Sequence, residues 1–350
     1  MPKISCRAYA KIDLSRNVLG SLPNGTLQME AVSQLVGIYD EVRVQDVEKQ
    51  EGEPFLSLTN SGCEELSKEA SALIFTAAKS IVEMIPLPAD TALEIHVEKK
   101  FPSAACLSDT ASNAAAVMLL MSLLYEAADI SLENLLDIGA KLDSNIPFFL
   151  AANAFANDME HFAKHEIAAC TFLTDDVSLT RLAPPGGYAI LCVTPGKYTP
   201  TAIYEEFQNG DYYGKMSDME VLKELLDSAI VPVSSSEEKL HAAMSVQFGG
   251  LMGSIMARSF GVAKRYGKSF TDNLRNSLQP AAIQKYPLLD SMVKLVDETV
   301  KPDAILMVGT GPTIAAYYLP KRIKEAQDDL KFLKEMLSPR GVFVTGCPLL

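Results

Sequence analysis

The alternation of apolar and polar residues predicts a strand, a loop and a long helix near the middle of the chain. Residues 91–99 alternate with a period of two, which is the pattern of a half-buried strand, and Pro102 ends that strand. Residues 114–125 carry almost no polar side chain, so they predict a helix buried on all sides. A loop of mostly small residues, 103–108, joins the two. This strand, loop and helix are the central feature of the chain.

The start of the central helix has two interpretations. Asp109, Thr110 and Ser112 compete as its N-cap. A buried helix start that opens from small residues favours an anion, because free backbone N–H groups and the positive end of the helix dipole point into the loop. Tight packing of the loop on the helix explains the same residues. Asp109 opposes phosphate binding unless it caps the helix or binds Mg²⁺, and the loop has no glycine.

The chain before this segment predicts more strands and one helix. Residues 4–14 form a first strand that carries Lys11, which is either a solvated edge residue or projects into a cleft. Residues 30–39 and 41–47 predict two strands, or a strand and a short helix. Apolar residues at helical spacing predict a helix over 67–85.

After the central helix, residues 131–142 predict an amphipathic helix with Ser131 as its cap. Asp143 and Asn145 follow, either as plain turn residues or as site residues. They precede an apolar strand that Pro147 interrupts.

The second half of the chain mixes strands and helices. Strands are predicted at 188–194, on both sides of the Gly-x-Gly turn in 303–319, and at 341–347, and helices at 200–207, 288–300 and 321–337. Residues 153–176 look weakly structured, 210–239 are polar and irregular with a helix start near 234, and 248–267 are not assigned.

Composition narrows the possible functions. A chain of 350 residues is long enough for two domains. A net charge of -13 without a basic cluster argues against nucleic acid and anionic membranes as partners. The lack of an apolar run of about 18 residues predicts a cytoplasmic protein. Six scattered cysteines predict free thiols, and His161 and His165 are interpreted as surface residues, so no metal site is expected.

Several segments, taken in order, resemble the GHMP small-molecule kinase superfamily. Residues 8–14, Ala-Tyr-Ala-Lys-Ile-Asp-Leu, are similar to the opening Ala-Lys-Ile-Asn-Leu strand of one of its branches, which acts in isoprenoid precursor synthesis. Residues 139–149, Gly-Ala-Lys-Leu-Asp-Ser-Asn-Ile-Pro-Phe-Phe, are similar to that branch's Gly-Ala-Lys-x-Gly-Ser-Asp-Val-Pro-Phe-Phe. Residues 308–313, Val-Gly-Thr-Gly-Pro-Thr, are similar to the third GHMP motif.

The resemblance implies an α/β (α+β) protein with the two-domain GHMP kinase fold. An N-terminal ribosomal-S5-like domain over residues 1–155 would hold the phosphate loop, and a ferredoxin-like domain would cover residues 165–350. It also implies ATP with Mg²⁺ as cofactor, and a small-molecule alcohol as substrate, with phosphorylated alcohols among the candidates. A monomer or a homodimer is expected.

The resemblance further implies a role for individual residues. The catalytic positions are Lys11, Asp143 and Asn145. The ATP-binding positions are Lys99, Ala104, Ala105, Cys106, Ser108, Asp109, Thr110 and Ser112. The substrate-binding positions are Asp13, Thr26, Leu27, Thr201, Gly309, Thr310 and Gly311.

The departures from the family fall where the chemistry is expected. The family has an aspartate at the position of Asn145, and an amide cannot accept the hydroxyl proton as a carboxylate can. The loop glycines are replaced, although the loop also resembles that of the related diphosphomevalonate decarboxylases. Thr26 and Leu27 stand where the family has Tyr-His for a cytosine. Two hypotheses therefore remain: a divergent ATP-dependent kinase, and a non-catalytic GHMP-fold protein with a binding or regulatory role.

Overall fold

The computed structural model describes residues 3–21, 27–49, 55–125, 130–162, 170–174, 179–210, 212, 217–227 and 270–350. These residues divide into two compact units. The first unit takes residues 1–10, 38–103 and 108–169, and the second takes 11–37, 104–107 and 170–350. The predicted domain boundary between 155 and 165 stays a prediction.

Ten strands and nine helices are assigned among the described residues. The strands are β1 (Lys3–Ser21), β2 (Leu27–Glu48), β3 (Leu56–Gly62), β4 (Thr91–Lys99), β5 (Cys170–Thr174), β6 (Leu179–Leu182), β7 (Tyr188–Val193), β8 (Ala304–Met307), β9 (Thr313–Tyr318) and β10 (Phe343–Pro348). The helices are α1 (Lys68–Val82), α2 (Asp109–Leu124), α3 (Leu132–Leu142), α4 (Ile146–Ala156), α5 (Pro200–Asn209), α6 (Met219–Asp227), α7 (Gln279–Lys285), α8 (Pro287–Val300) and α9 (Ile323–Leu337).

The first unit contains a small sheet and four helices that contact one another. Residues 41–48 of β2 pair antiparallel with β4, which pairs in parallel with β3. Helix α2 packs against α1 and α4. Its side chains from Ala114 to Ser122 are all buried, which explains why the sequence shows no polar face there. Pro147 in the first turn of α4 starts that helix because its ring suits the helical backbone at that position.

The second unit is built on a four-stranded antiparallel sheet in the order β10-β7-β9-β8. Apolar side chains of α5, α7, α8 and α9 form one core with the side chains of this sheet. In the same unit, residues 30–34 of β2 pair with β5, which pairs with β6. Burial raises the pKa of the Cys192 and Cys347 thiols to about 12, so they act as small apolar groups.

The mixed α/β architecture is confirmed, and several local predictions differ from the structure. Residues 219–227, inside the segment predicted to be irregular, form α6, and residues 170–174, inside the segment predicted to be weakly structured, form β5. Residues 146–150 are helical rather than extended, because Pro147 is favoured in a first helical turn. The strand alternative for segments 30–39 and 41–47 is confirmed, and the two segments form one continuous strand. Ser108, not a later residue, is the N-cap of α2. The predicted helix start near 234 and the segment 248–267 lie outside the described residues.

Within the described part of the chain, no helix combines the length and the apolar character that a membrane crossing requires. Nor does that part contain a group of three or more His, Cys, Asp or Glu side chains arranged to hold a metal ion.

Gly62 makes a close backbone contact that a larger residue cannot make. Its φ is +106°, and a Cβ added there would lie 2.1 Å from the carbonyl oxygen of Lys99. We expect Gly62→Ala to lower the free energy of unfolding by about 2 kcal/mol or more, because both the conformation and the contact become strained. Chemical denaturation measures this. Gly20→Ala is the control, since no atom lies within 4 Å of its added Cβ, and an equal loss in both variants would contradict the account.

Candidate functional site

Lys99 is the last residue of β4, and its ammonium is buried in the first unit. Its Nζ lies 2.7 Å from Oδ2 of Asp40 and 2.5 Å from Oδ2 of Asp109. Burial alone would lower the pKa of Lys99, but the two carboxylates raise it above its usual value. Burial raises the pKa of Asp40 despite the opposing effect of Lys99. Lys99 is therefore a charged residue held between two acids.

Further hydrogen bonds fix both acids. Oδ1 of Asp40 accepts from the Lys100 backbone N at 2.8 Å, and its Oδ2 accepts from Asn113 Nδ2 at 3.0 Å. Oδ2 of Asp109 accepts from the Ser103 hydroxyl at 2.7 Å. With all three groups charged, Lys99, Asp40 and Asp109 together carry one negative charge. The Asp109 carboxylate, whose role at the helix start the sequence leaves open, is thus an ion-pair partner of Lys99.

The loop before α2 adopts a backbone conformation that normally needs glycine. Cys106 has a φ of 53° and Ser108 a φ of 59°, both in the left-handed region. Each such residue costs about 1–2 kcal/mol relative to glycine. The side chain of Ser108 makes no capping hydrogen bond to α2. The loop therefore holds two residues in a strained backbone conformation.

The other polar residues predicted to bind ATP at the loop and helix start differ in exposure: one is buried and hydrogen-bonded within the protein, and two are partly exposed. The Ser112 hydroxyl is fully buried, donates to the Tyr9 carbonyl at 2.6 Å and accepts from Asn153 Nδ2 at 3.1 Å. Ser112 thus holds α2 in the first unit. By contrast, Thr110 and Ser108 are partly exposed and lie at the start of the helix.

In the second unit, β1 carries a buried ionic cluster. Nζ of Lys11 lies 2.7 Å from Oδ1 of Asp13, and the Arg16 guanidinium lies 2.5 Å from Oδ2 of the same carboxylate. The Ser33 hydroxyl of β2 donates to Asp13 Oδ1 at 2.7 Å and accepts from Lys11 Nζ at 3.2 Å. Burial alone would raise the pKa of Asp13, but Arg16 and Lys11 hold it well below its usual range. Asp13 is therefore a carboxylate at neutral pH.

The same unit connects β1 with the loop and with the Gly-x-Gly turn. The Lys11 backbone N donates to the Leu107 carbonyl at 3.3 Å. The Thr313 hydroxyl donates to the Ala105 carbonyl at 2.5 Å. A Cβ added to Gly309, whose φ is +55°, would lie 3.4 Å from the Cys106 carbonyl. The loop therefore lies between the first strand and the turn that contains Gly309, Thr310 and Gly311.

Asn276 fixes the turn from the other side. Its Nδ2 donates to the carbonyls of Met307 and Gly309, at 2.8 and 2.7 Å. The neighbouring Ser277 N donates to the Arg16 carbonyl at 2.9 Å. These contacts tie the Gly-x-Gly turn to β1 within the second unit.

Asp143 and Asn145 contact each other in the first unit. Oδ1 of Asp143 accepts from the Asn145 backbone N at 2.7 Å and from Asn145 Nδ2 at 3.0 Å. They connect α3 to α4, as turn residues do, and both are only partly buried. Whether either acts on a hydroxyl stays a prediction.

The remaining predicted substrate residues are less informative. Leu27 is 2% exposed and belongs to the core of the second unit. Thr201 is exposed in the first turn of α5. Thr26 lies outside the described residues. The sequence interpretation missed Asp40, Arg16 and Ser33, because one polar residue within a strand gives no periodic signal.

Comparison with known proteins gives the class. Residues 72–153 match the family model for the GHMP kinases N terminal domain. The chain superposes on a crystal structure of 4-(cytidine 5'-diphospho)-2C-methyl-D-erythritol kinase with a TM-score of 0.66 and 17% identity, over 99% of both chains. Homoserine kinase from Cytophaga hutchinsonii superposes with a TM-score of 0.56 and 15% identity, over 100% of this chain and 95% of that one. The chain therefore has the two-domain fold of the GHMP kinases, and residues 72–153 match their N-terminal domain.

In sequence, the similarity extends to one enzyme of that class. The chain is 24% identical to 4-diphosphocytidyl-2-C-methyl-D-erythritol kinase of Lachnospira eligens, over 99% of this chain and 98% of that protein. It is 26% identical to the enzyme of the same name from Lachnoclostridium phytofermentans, over 59% of this chain and 64% of that protein. The predicted resemblance to the GHMP superfamily and to this kinase is confirmed.

The left-handed backbone at Ser108 leads to a stability prediction. We expect Ser108→Gly to raise the free energy of unfolding by about 0.5–1 kcal/mol, because glycine relieves the strain and no capping hydrogen bond is lost. The same change at Ser131, which caps α3 with an ordinary φ of -74° and bonds to Asn134 N, is the control. Ser131→Gly should lower stability by a few tenths of a kcal/mol. Losses in both variants, measured by chemical denaturation, would contradict the strain at Ser108.

Proposed function

We propose that the protein is a divergent GHMP-type kinase that transfers a phosphoryl group from ATP to a small-molecule alcohol. The observation that supports this most directly is the left-handed backbone at Cys106 and Ser108. Residues held in such conformations cluster at functional sites, since packing without a function gives no reason to keep the strain. A phosphate loop needs that backbone shape, and this chain retains it without glycine.

The residues at the start of α2 fit a phosphate group in part. The backbone N–H groups of its first turn, with the partly exposed hydroxyls of Ser108 and Thr110, would bind the phosphates of ATP. Bound Mg²⁺ would neutralise charge on the phosphates. Lys99 and Ser112 instead hold the helix start in place through their internal contacts. Asp109 reduces the attraction for phosphate, so we expect weak nucleotide affinity.

The chemical step relies on electrostatics rather than on a strong base. Phosphoryl transfer depends mostly on positioning and on stabilising charge at the transferred group. Lys11 supplies such a charge from β1, and its ammonium is fixed by Asp13 and Ser33. Asn145 cannot accept a proton as a carboxylate does, so turnover should be slow rather than absent.

The proposed acceptor is an alcohol, and binding of a cytidine group is not part of the proposal. The relatives bear the name of a kinase for a cytidine-diphosphate alcohol of the isoprenoid precursor pathway. In this chain Leu27 is buried in the core, so it offers no surface for stacking on a base. We therefore propose an alcohol related to that of the relatives, without a strong contribution from cytosine.

Calorimetry and a turnover assay test the proposal. The purified protein should bind Mg-ATP with a dissociation constant of micromolar to millimolar size and should release ADP when a suitable alcohol is present. The alcohols to test include 4-diphosphocytidyl-2-C-methyl-D-erythritol and small phosphorylated alcohols. A cytidine diphosphate compound alone should bind weakly. If calorimetry detects no binding at Mg-ATP concentrations about ten-fold above the millimolar end of this range, the proposed kinase function is refuted.

The second candidate is a GHMP-fold binding protein without catalysis. The ion cluster of Lys99, Asp40 and Asp109 favours it, because the cluster places negative charge beside the phosphate loop. The turnover assay separates the two candidates, since a non-catalytic protein releases no ADP even if it binds Mg-ATP.

Asp109 should limit nucleotide affinity. We expect Asp109→Asn to tighten Mg-ATP binding about ten-fold, because removing one negative charge at roughly 7 Å in a medium of ε about 20 changes the energy by about 2 kcal/mol before screening. Asparagine can still accept from Ser103, so the fold should survive. Asp40→Asn makes the same change in charge farther from the helix start and should have a smaller effect. Weaker binding of ATP to Asp109→Asn would show that Asp109 assists the nucleotide.

A variant of residue 145 tests whether the protein lacks only the general base. If only the base is lacking, Asn145→Asp should raise turnover roughly 10²-fold to 10⁴-fold, the usual contribution of a positioned general base. Asp143→Asn is the companion variant, since it removes the carboxylate that accepts both Asn145 hydrogen bonds. Loss of all wild-type turnover in Asp143→Asn would assign the role to Asp143. If both variants have the turnover of the wild type, catalysis does not depend on either side chain.

A further inference from the structure

We infer that Lys99 is a positioning residue: by holding the Asp109 carboxylate inside the first unit, it keeps the start of α2 open for the phosphates of the nucleotide. The inference rests on the proposed function, because it concerns the same nucleotide site. All the residues whose contacts support it belong to the first unit.

The first support is the orientation of the Asp109 side chain. Asp109 is the first residue of α2 and is 5% exposed, whereas its neighbours Ser108 and Thr110 are partly exposed. Its Oδ2 contacts Lys99 Nζ at 2.5 Å and accepts from the Ser103 hydroxyl at 2.7 Å. The carboxylate is therefore bound to the end of β4 and to residue 103, while the residues on either side of it remain accessible.

The second support is the alternative orientation that Lys99 prevents. An acidic side chain in the first turn of a helix is normally attracted by the N–H groups of that turn and by the positive end of the helix dipole. The contacts described for the Asp109 carboxylate are with Lys99 and Ser103, and none is with a backbone N–H group of α2. Carboxylate and phosphate oxygens are acceptors for the same N–H groups. Without Lys99, Asp109 would therefore compete with phosphate at the helix start.

The third support is the fixed position of the Lys99 ammonium. Its side chain is fully buried, with Nζ 2.7 Å from Oδ2 of Asp40 and 4.8 Å from the centre of the Phe101 ring. Asp40 is fixed in turn by the Lys100 backbone N, which donates to its Oδ1 at 2.8 Å. Burial acts to lower the pKa of Lys99, but Asp109 and Asp40 raise it above its usual value, so the ammonium stays charged. A charged group with so little freedom also fixes the carboxylate that contacts it.

A variant with an unchanged cluster charge tests the inference. Lys99→Met combined with Asp40→Asn, the paired variant, removes one buried cation and one buried acid and leaves Asp109 as the remaining charge, so the cluster keeps its net charge of one negative unit. Because the released Asp109 takes N–H groups from the phosphates, we expect Mg-ATP to bind about ten-fold more weakly, the size of one lost hydrogen bond to a charged group. Calorimetry measures this. Wild-type affinity in the paired variant would show that Lys99 does not restrain Asp109 and would overturn the inference.

Removing Asp109 shows whether Lys99 acts through it. In the Asp109→Ala background, adding the two changes of the paired variant again leaves the cluster charge unaltered, and we expect the affinity for Mg-ATP to change less than about 3-fold, because no carboxylate is left to compete. An equal loss in both backgrounds would mean that Lys99 acts on the nucleotide directly, which contradicts a positioning role. Asp46→Asn, whose carboxylate accepts from the Tyr125 hydroxyl, is the control for removal of an acid in this unit and should keep the wild-type affinity.

Variants of Ser103 keep the test decisive if the paired variant does not fold. Ser103→Ala removes the second contact of Asp109 Oδ2 without altering any charge, and we expect Mg-ATP to bind about 3-fold more weakly, since the carboxylate is less restrained. Ser103→Thr keeps a hydroxyl and should restore most of the affinity. Equal affinity in Ser103→Ala and the wild type would count against the inference.

A crystal structure of the paired variant without nucleotide reports the orientation of Asp109 directly. We expect its carboxylate to accept from a first-turn N–H group of α2. A carboxylate that stays at Ser103 refutes the inference even in an active enzyme. If the wild type binds Mg-ATP but phosphorylates no alcohol, the proposed kinase function fails alone, and the affinities still decide the role of Lys99. If the wild type binds no nucleotide, the inference and the proposed function fail together.

Discussion

A lysine ammonium removed from water must have carboxylates within contact distance, and this requirement acts twice in the structure. In the first unit Lys99 lies between Asp40 and Asp109, and in the second unit Lys11 lies against Asp13. Removing one member of a buried ion pair commonly costs 3–5 kcal/mol, because the remaining charge is left without a partner. Each unit therefore holds its buried lysine in a set of charged groups that has few alternative arrangements.

The two clusters differ in sign. The cluster around Lys99 contains one cation and two acids, whereas the contacts described at Asp13 join two cations to one acid. The described contacts therefore leave a net negative charge on the cluster of the first unit and a net positive charge on the cluster of the second.

The sequence was sufficient for the architecture, but not for the contacts of the candidate site residues. The period of two in β4, the apolar run of α2 and the strand pair around the Gly-x-Gly turn all predicted real elements, because burial on a defined face leaves a periodic trace. Residues 146–150 are predicted to be a strand but form a helix, because a short apolar run fits a strand or a buried helix equally well. Nothing in the sequence shows that Lys99 contacts Asp40, which lies 59 residues earlier. The left-handed backbone of Cys106 and Ser108 could not be predicted either, because cysteine and serine have no preference for that conformation.

Helix α2 has a consequence for the motions of the first unit. Its side chains from Ala114 to Ser122 are all buried, so no face of the helix can separate from its neighbours without opening the unit around it. Amide hydrogens in such a helix exchange with solvent mainly through global unfolding, whereas those of exposed elements exchange through local opening. The loop that precedes α2 is therefore attached to the slowest-exchanging part of this unit. Rearrangement of the loop on ligand binding would be confined to the residues before Asp109, and the helix itself would remain a fixed reference.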